Sequence, residues 1–179
     1  MIYLIVGGSC AGKSSFVKNT WVKGKKGEMK KDIIPYFETE NAILIGIFDE
    51  EKGRRIGTDR INRHDIPQFL PQILKLYNEN PNKDIILEGD KIVSRPLWNQ
   101  LIKNNIKCKL YLIYCSKETS IKRNRINNST NTDGSLKASC TRAYNIYNEY
   151  KEAYRAVNEW KDYVEVVVTL EADNGSYEE

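Results

Sequence analysis

The sequence predicts an α/β fold, a parallel sheet with helices on both faces, built as a single domain over residues 1–170. Three observations predict it. Short apolar runs rich in β-branched residues alternate with segments of helical spacing along the 179 residues, the pattern of strand–helix–strand units. Those runs are continuously apolar, as strands covered on both faces are. The first of them leads into Gly7-Gly8-Ser9-Cys10-Ala11-Gly12-Lys13-Ser14, which reads G-x-x-x-x-G-K-S, the phosphate-binding P-loop motif.

Residues 2–6 form the first strand and deliver the chain to a sharp turn. Glycines there let successive backbone N–H groups point at a polyphosphate, where a Cβ would block them. Gly7, Gly8, Ser9, Cys10, Ala11, Gly12, Lys13, Ser14 and Ser15 are the expected nucleotide-binding residues. A helix beginning near Lys13 adds its N-terminal dipole and is expected to reach Trp21 or Val22. Lys13 places charge on the β- and γ-phosphates, and the Ser14 hydroxyl can ligate Mg²⁺.

Residues 24–27 break that helix within a lysine-rich loop. Lys18, Lys23, Lys25, Lys26, Lys30 and Lys31 crowd it, with only Glu28 opposing. The loop reads either as a solvated connection or as a contact for a phosphate backbone. Residues 33–37 form a brief strand or extended segment, with Pro35 opposing a central position. Residues 41–48 are a strand, and residues 49–58 a polar loop. A helix over 67–77 follows, with Asp65 as a candidate N-cap and Pro67 in its first turn. Phe69, Leu70, Ile73, Leu74 and Tyr77 recur at helical spacing and are core. Pro71 either kinks that helix or delays its regular part.

After a turn at residues 80–83, residues 84–88 form a buried strand ending in acids. Ser94 caps a helix with Pro96 in its first turn and Leu97, Leu101 and Ile102 inward. Residues 107–115 are a strand, and Ser116 caps a helix running to about residue 127. Residues 128–135 read as a flexible loop. A long helix spans about 136–161, with Ile146, Tyr150, Tyr154 and Val157 on one stripe. Residues 163–170 are the last strand, and the acidic tail 171–179 is expected to be disordered.

Composition narrows the partners. Net charge is +4 and the pI about 8.7, a mild tilt toward anions. Two further basic groups are Arg54, Arg55, Arg60 and Arg63, and Lys122, Arg123 and Arg125. No run reaches transmembrane length, and residues 2–6 are too short for a signal-peptide core. No membrane partner and a cytoplasmic location are therefore expected. Cys10, Cys108, Cys115 and Cys140 make no C-x-x-C pair and read as reduced thiols, Cys108 and Cys115 as core.

Phosphoryl transfer needs a phosphate cradle, Mg²⁺, positive charge on the moving group and an oriented nucleophile. For the metal, Ile85-Ile86-Leu87-Glu88 places an acid at the end of an apolar strand, where open α/β sheets gather ligands. Asp90 stands two residues on. For positive charge, Arg123 and Arg125 lie about 200° apart around a helix, so one faces phosphate and the other solvent. Arg142 and Lys122 are further candidates. For the nucleophile, Asp59 of Gly57-Thr58-Asp59-Arg60 either accepts a proton from the acceptor or caps a helix. His64 reads as a surface residue near a helix start. The catalytic candidates are thus Lys13, Asp59, Asp90, Arg123 and Arg125, with Ser14 and Glu88 as metal ligands.

Five strands with a P-loop after the first resemble the nucleoside and nucleotide kinase group of P-loop folds. That resemblance implies a three-layer fold, a five-stranded sheet of order 2-3-1-4-5 and a helical lid, here over about 116–142. A closer resemblance rests on Gly57-Thr58-Asp59 with Pro67, on Leu87-Glu88-Gly89-Asp90, and on Leu136-Lys137 followed by Thr141-Arg142 and Asn145-Ile146. Together these look like the phage 5-hydroxymethyluracil DNA kinases. Ala138-Ser139 stand where that family has Gly-Arg, and Ser135 where it has tryptophan. The resemblance implies ATP- and Mg²⁺-dependent phosphorylation of the hydroxymethyl group of 5-hydroxymethyluracil in DNA, with a host-cell cytoplasmic location. A kinase of a free nucleoside or nucleotide explains the P-loop equally well. A third reading is an ATP-binding module with no acceptor. The basic clusters would track DNA phosphates under the first reading and are incidental under the second. Oligomeric state is open.

Overall fold

The structure is a computed structural model and describes residues 1–48, 57–58, 66–89, 97, 100–101, 103–113, 115–126, 131–156 and 164–169. Seven strands form one sheet: β1 (Ile2–Gly7), β2 (Gly27–Lys30), β3 (Tyr36–Thr39), β4 (Ala42–Ile45), β5 (Asp84–Glu88), β6 (Cys108–Ile113) and β7 (Val164–Thr169). Their order is β2-β3-β4-β5-β1-β6-β7. The five strands β4, β5, β1, β6 and β7 are parallel. In chain order these are the second, third, first, fourth and fifth parallel strands.

The sheet differs from the five-stranded parallel expectation at one edge. There β2 and β3 pair antiparallel with each other and with β4, so the sheet is mixed. The lysine-rich segment is therefore not all loop. Glu28, Met29 and Lys30 alternate too weakly to signal a strand, yet β3 offers them a partner. Pro35 lies just before β3 and removes no ladder bond. Gln72 anchors this region, accepting from the Ile34 N–H at 2.7 Å and donating to its carbonyl at 2.9 Å.

Strand side chains alternate between two cores, as a pleated sheet covered on both faces requires. Ile2, Leu4, Val6, Ile43, Ile45, Ile85, Leu87, Leu110 and Leu112 face one side. They meet Phe69, Ile73 and Leu76 of α2 (Ile66–Glu79), with Leu97 and Leu101 beside them. Ile5, Ala42, Leu44, Ile86 and Ile113 face the other side, against Val17 and Trp21. Helix α2 runs through Pro71. The proline forfeits one backbone bond, and the buried apolar face outweighs that loss.

Helix α1 (Lys13–Val17) continues as one π-helical turn, Lys18–Val22, which seats Trp21 in the core. Ser116 caps α3 (Lys117–Ile126), accepting the Thr119 N–H at 3.1 Å. Helix α4 (Asp133–Ala156) begins three residues earlier than the sequence predicts. The Ser135 hydroxyl donates to the Thr132 carbonyl at 2.8 Å, so this first turn is ordered where polar composition signalled loop. Burial pushes the Cys108 thiol up to about 12, so it packs as an apolar group.

Candidate functional site

The parallel strands end at one edge, and β1 ends there between β5 and β6. The chain then turns through Gly8–Gly12 into α1. Cys10 has φ 60° and Gly12 φ 99°. Left-handed residues curl successive amides into a concavity that suits an anion. Glycine adopts this conformation readily, whereas Cys10 is held there at a cost of roughly 1–3 kcal/mol. Lys13 reaches back over the loop, its Nζ donating to the carbonyls of Gly7 at 3.0 Å and Gly8 at 2.9 Å. Its ammonium thus lies over the turn.

One flank of the loop is the end of β5. Ser14, in the first turn of α1, donates its hydroxyl to Glu88 Oε1 at 2.8 Å. The pairing of Ile5 with Glu88 in the β1–β5 ladder sets that contact. Glu88 is buried, 4% exposed. A hydroxyl and a carboxylate are the hard oxygen donors that Mg²⁺ takes. Among the described residues no group of three or more His, Cys, Asp or Glu lies together. A cation held here would take the rest of its oxygens from phosphate and water, as Mg²⁺ commonly does.

The other flank is made by α3 and α4. Ser120 donates to the Ser9 carbonyl at 2.7 Å. Arg123 donates to the carbonyls of Cys10 at 3.4 Å and Ala11 at 3.3 Å. From α4, the Ser139 hydroxyl accepts the Ser9 N–H at 3.0 Å and lies 3.1 Å from the Ser9 hydroxyl. Helix α4 packs so closely that a Cβ on Gly8 would lie 2.5 Å from Cys140 Sγ. Asn124 of α3 donates to the Asn131 carbonyl, two residues ahead of α4, at 3.0 Å, and Arg125 reaches Asp133 at the start of α4.

Of the candidate residues, Lys13, Ser14, Glu88 and Arg123 come together around the loop. Arg125 does not: it pairs with Asp133 at 3.0 Å on the exposed side of α3. Asp59 and Asp90 lie outside the described residues, as do Arg54, Arg55, Arg60, Arg63, His64 and the tail. Of the expected stripe, Ile146, Tyr150 and Tyr154 lie on α4 with side chains that are not described, and Val157 lies outside the described residues. Sequence reasoning missed Ser120, Ser139, Cys140 and Thr58. Ser120 had a signal: it sits three residues before Arg123 and so shares its helix face. Ser139 had none, because its partner is 130 residues away.

No protein-family model matches the chain, and no curated protein matches it. Among solved structures it is similar to a deoxyadenosine kinase from M. mycoides, described with product dCMP and a flexible dCDP bound. The two are 13% identical, over 93% of this chain and 90% of that one, with a TM-score of 0.41. Among the described residues, no helix is long and apolar enough to cross a membrane.

Proposed function

We propose that the chain is an ATP- and Mg²⁺-dependent phosphotransferase whose acceptor is a free nucleoside or nucleotide. The contact between Ser14 and Glu88 at the end of the P-loop carries the reading. It joins a P-loop hydroxyl to a buried strand-end carboxylate, the two protein oxygens that a nucleotide-bound cation requires. When bound, Mg²⁺ would neutralise charge on the transferring phosphoryl group. The loop amides and Lys13 would hold the β- and γ-phosphates. Arg123 would turn from the loop carbonyls to the charge that spreads in the transition state. Asp59 or Asp90 would orient the acceptor hydroxyl. Helices α3 and α4 would act as the lid, over about 116–142. A cavity of about 240 Å³ lined by Cys115, Lys117, Cys140, Thr141 and Tyr144 adjoins the loop through Cys140 and suits the nucleoside part of the donor.

A free nucleoside or nucleotide needs no binding surface beyond the site itself. One observation favours the second reading, 5-hydroxymethyluracil in DNA: Lys23, Lys25, Lys26 and Lys31 are all exposed, and such a run suits a phosphate backbone. The test supplies γ-labelled ATP and Mg²⁺ with two acceptors, free nucleosides and nucleotides, or DNA containing 5-hydroxymethyluracil. Label in the free pool, lost in Lys13→Ala, is the expected result. Label in the DNA alone replaces it with the second reading. ATP bound with no labelled acceptor overturns both.

A further inference from the structure

Two dipeptides interlock at the carboxyl end of β5. Gly57-Thr58 passes against Glu88-Gly89, and each glycine makes room for the functional group of the other pair. A Cβ on Gly57 would lie 2.8 Å from Glu88 Oε2, and one on Gly89 would lie 2.5 Å from Thr58 Oγ1. The Thr58 hydroxyl donates to the Glu88 carbonyl, and Thr58 is 1% exposed. The crossing is anchored on both sides. Gly57 exchanges hydrogen bonds with Ile47 at 2.8 and 3.2 Å, and the Gly89 N–H donates to the Ile5 carbonyl at 2.9 Å.

We infer that Thr58 is a positioning residue that acts through Glu88, fixing the last residue of β5 so that its carboxylate meets Ser14 Oγ at the cation position. This rests on the reading that Ser14 and Glu88 hold Mg²⁺. The Glu88 carbonyl belongs to the residue that carries the carboxylate, so the bond fixes the backbone from which that side chain extends toward Ser14. Mg²⁺ demands near-ideal octahedral geometry of its oxygens, and groups that hold a ligand in place matter nearly as much as the ligand. No part of this requires Thr58 to touch the cation or the substrate.

The test compares Thr58→Val, Thr58→Ala and Thr58→Ser with Glu88→Gln. Mn²⁺ is titrated into each variant with saturating ATP and followed by electron paramagnetic resonance. ATP affinity in EDTA is measured in parallel. Loss of the hydroxyl, in the Val and Ala variants, is expected to weaken Mn²⁺ binding about tenfold and to leave metal-free ATP affinity unchanged. Thr58→Ser is expected to bind Mn²⁺ as the native chain does. Native Mn²⁺ affinity in Val or Ala overturns the inference, as does a loss in Ser equal to that in Ala, or a parallel loss of metal-free ATP binding in both Val and Ala. Native Mn²⁺ affinity in Glu88→Gln instead removes the underlying reading, whatever Thr58 does.

Discussion

The two flanks of the phosphate loop are held by different means. On the β5 flank the chain is fixed by the ladder: Ile5 pairs with Glu88, and Ser14 meets the carboxylate that this register delivers. On the helical flank the loop is held by side chains from more than a hundred residues later, Ser120, Arg123 and Ser139. Sheet bonds break only with the sheet. A hydroxyl contact contributes about 0.5–1.5 kcal/mol and can be released singly. The first flank therefore suits a group that must not move, and the second suits one that does. Because Asn124 and Arg125 join α3 to the start of α4, those helices would shift as a pair.

The strongest tests of this contrast lie at the loop itself and on the rigid flank. Lys13→Ala and Glu88→Gln are each expected to lower kcat by about 10²–10³-fold, read by steady-state phosphate transfer. The next separates the two arginines of α3. Arg123→Ala is expected to cost about 10–100-fold in kcat, as a charge-assisted contact does. Arg125→Ala should cost no more than about twofold, since its exposed pair with Asp133 contributes little. Equal losses would mean that α3 does not present one preferred face to the site. Ser139→Ala sharpens the helical side. It is expected to raise KM for ATP about three- to tenfold with little change in kcat. A loss as large as that of Glu88→Gln would show that the flanks do not differ in kind.

The smallest effect is expected away from both flanks. Lys30, at 2.6 Å, and then Lys83 hold the Glu38 carboxyl below its ordinary value of 4.5. Its contribution to stability is present above the unfolded-state value and is lost as pH falls through the lower, folded one. Lys30 in turn is raised from 10.5 by Glu38 and then by Glu28. Its share is present below that value and is lost as pH rises through the folded one. Glu38→Gln should lower Tm near neutral pH by up to about 4 °C. It should also flatten the acid limb without changing phosphate transfer.

Much of the rigid flank was legible because it is local. An apolar run, a glycine loop and Lys13-Ser14 are contiguous, and Glu88 closes a second apolar run. The parallel strands were legible for the same reason. Strand β3 was legible in part, since the segment expected over 33–37 overlaps its first two residues, but β2 was not, because Glu28, Met29 and Lys30 owe their conformation to a partner strand. Nor was the Gly57–Glu88 crossing, since a glycine's neighbour across space leaves no mark on its neighbours in sequence. The role of Ser139 was hidden likewise: at its position the residue type says nothing of Ser9.

The hairpin added at the β2 edge has a consequence for how the molecule behaves in company. A sheet whose last strand leaves its amides bare invites another chain to extend it. Here the outermost strand is four residues long, Gly27–Lys30, and carries Glu28 and Lys30 with Lys25, Lys26 and Lys31 around it. The long apolar strands β4 and β5 lie further in. A crowded solution of this protein should therefore stay dispersed on that side, with like-charged borders repelling one another.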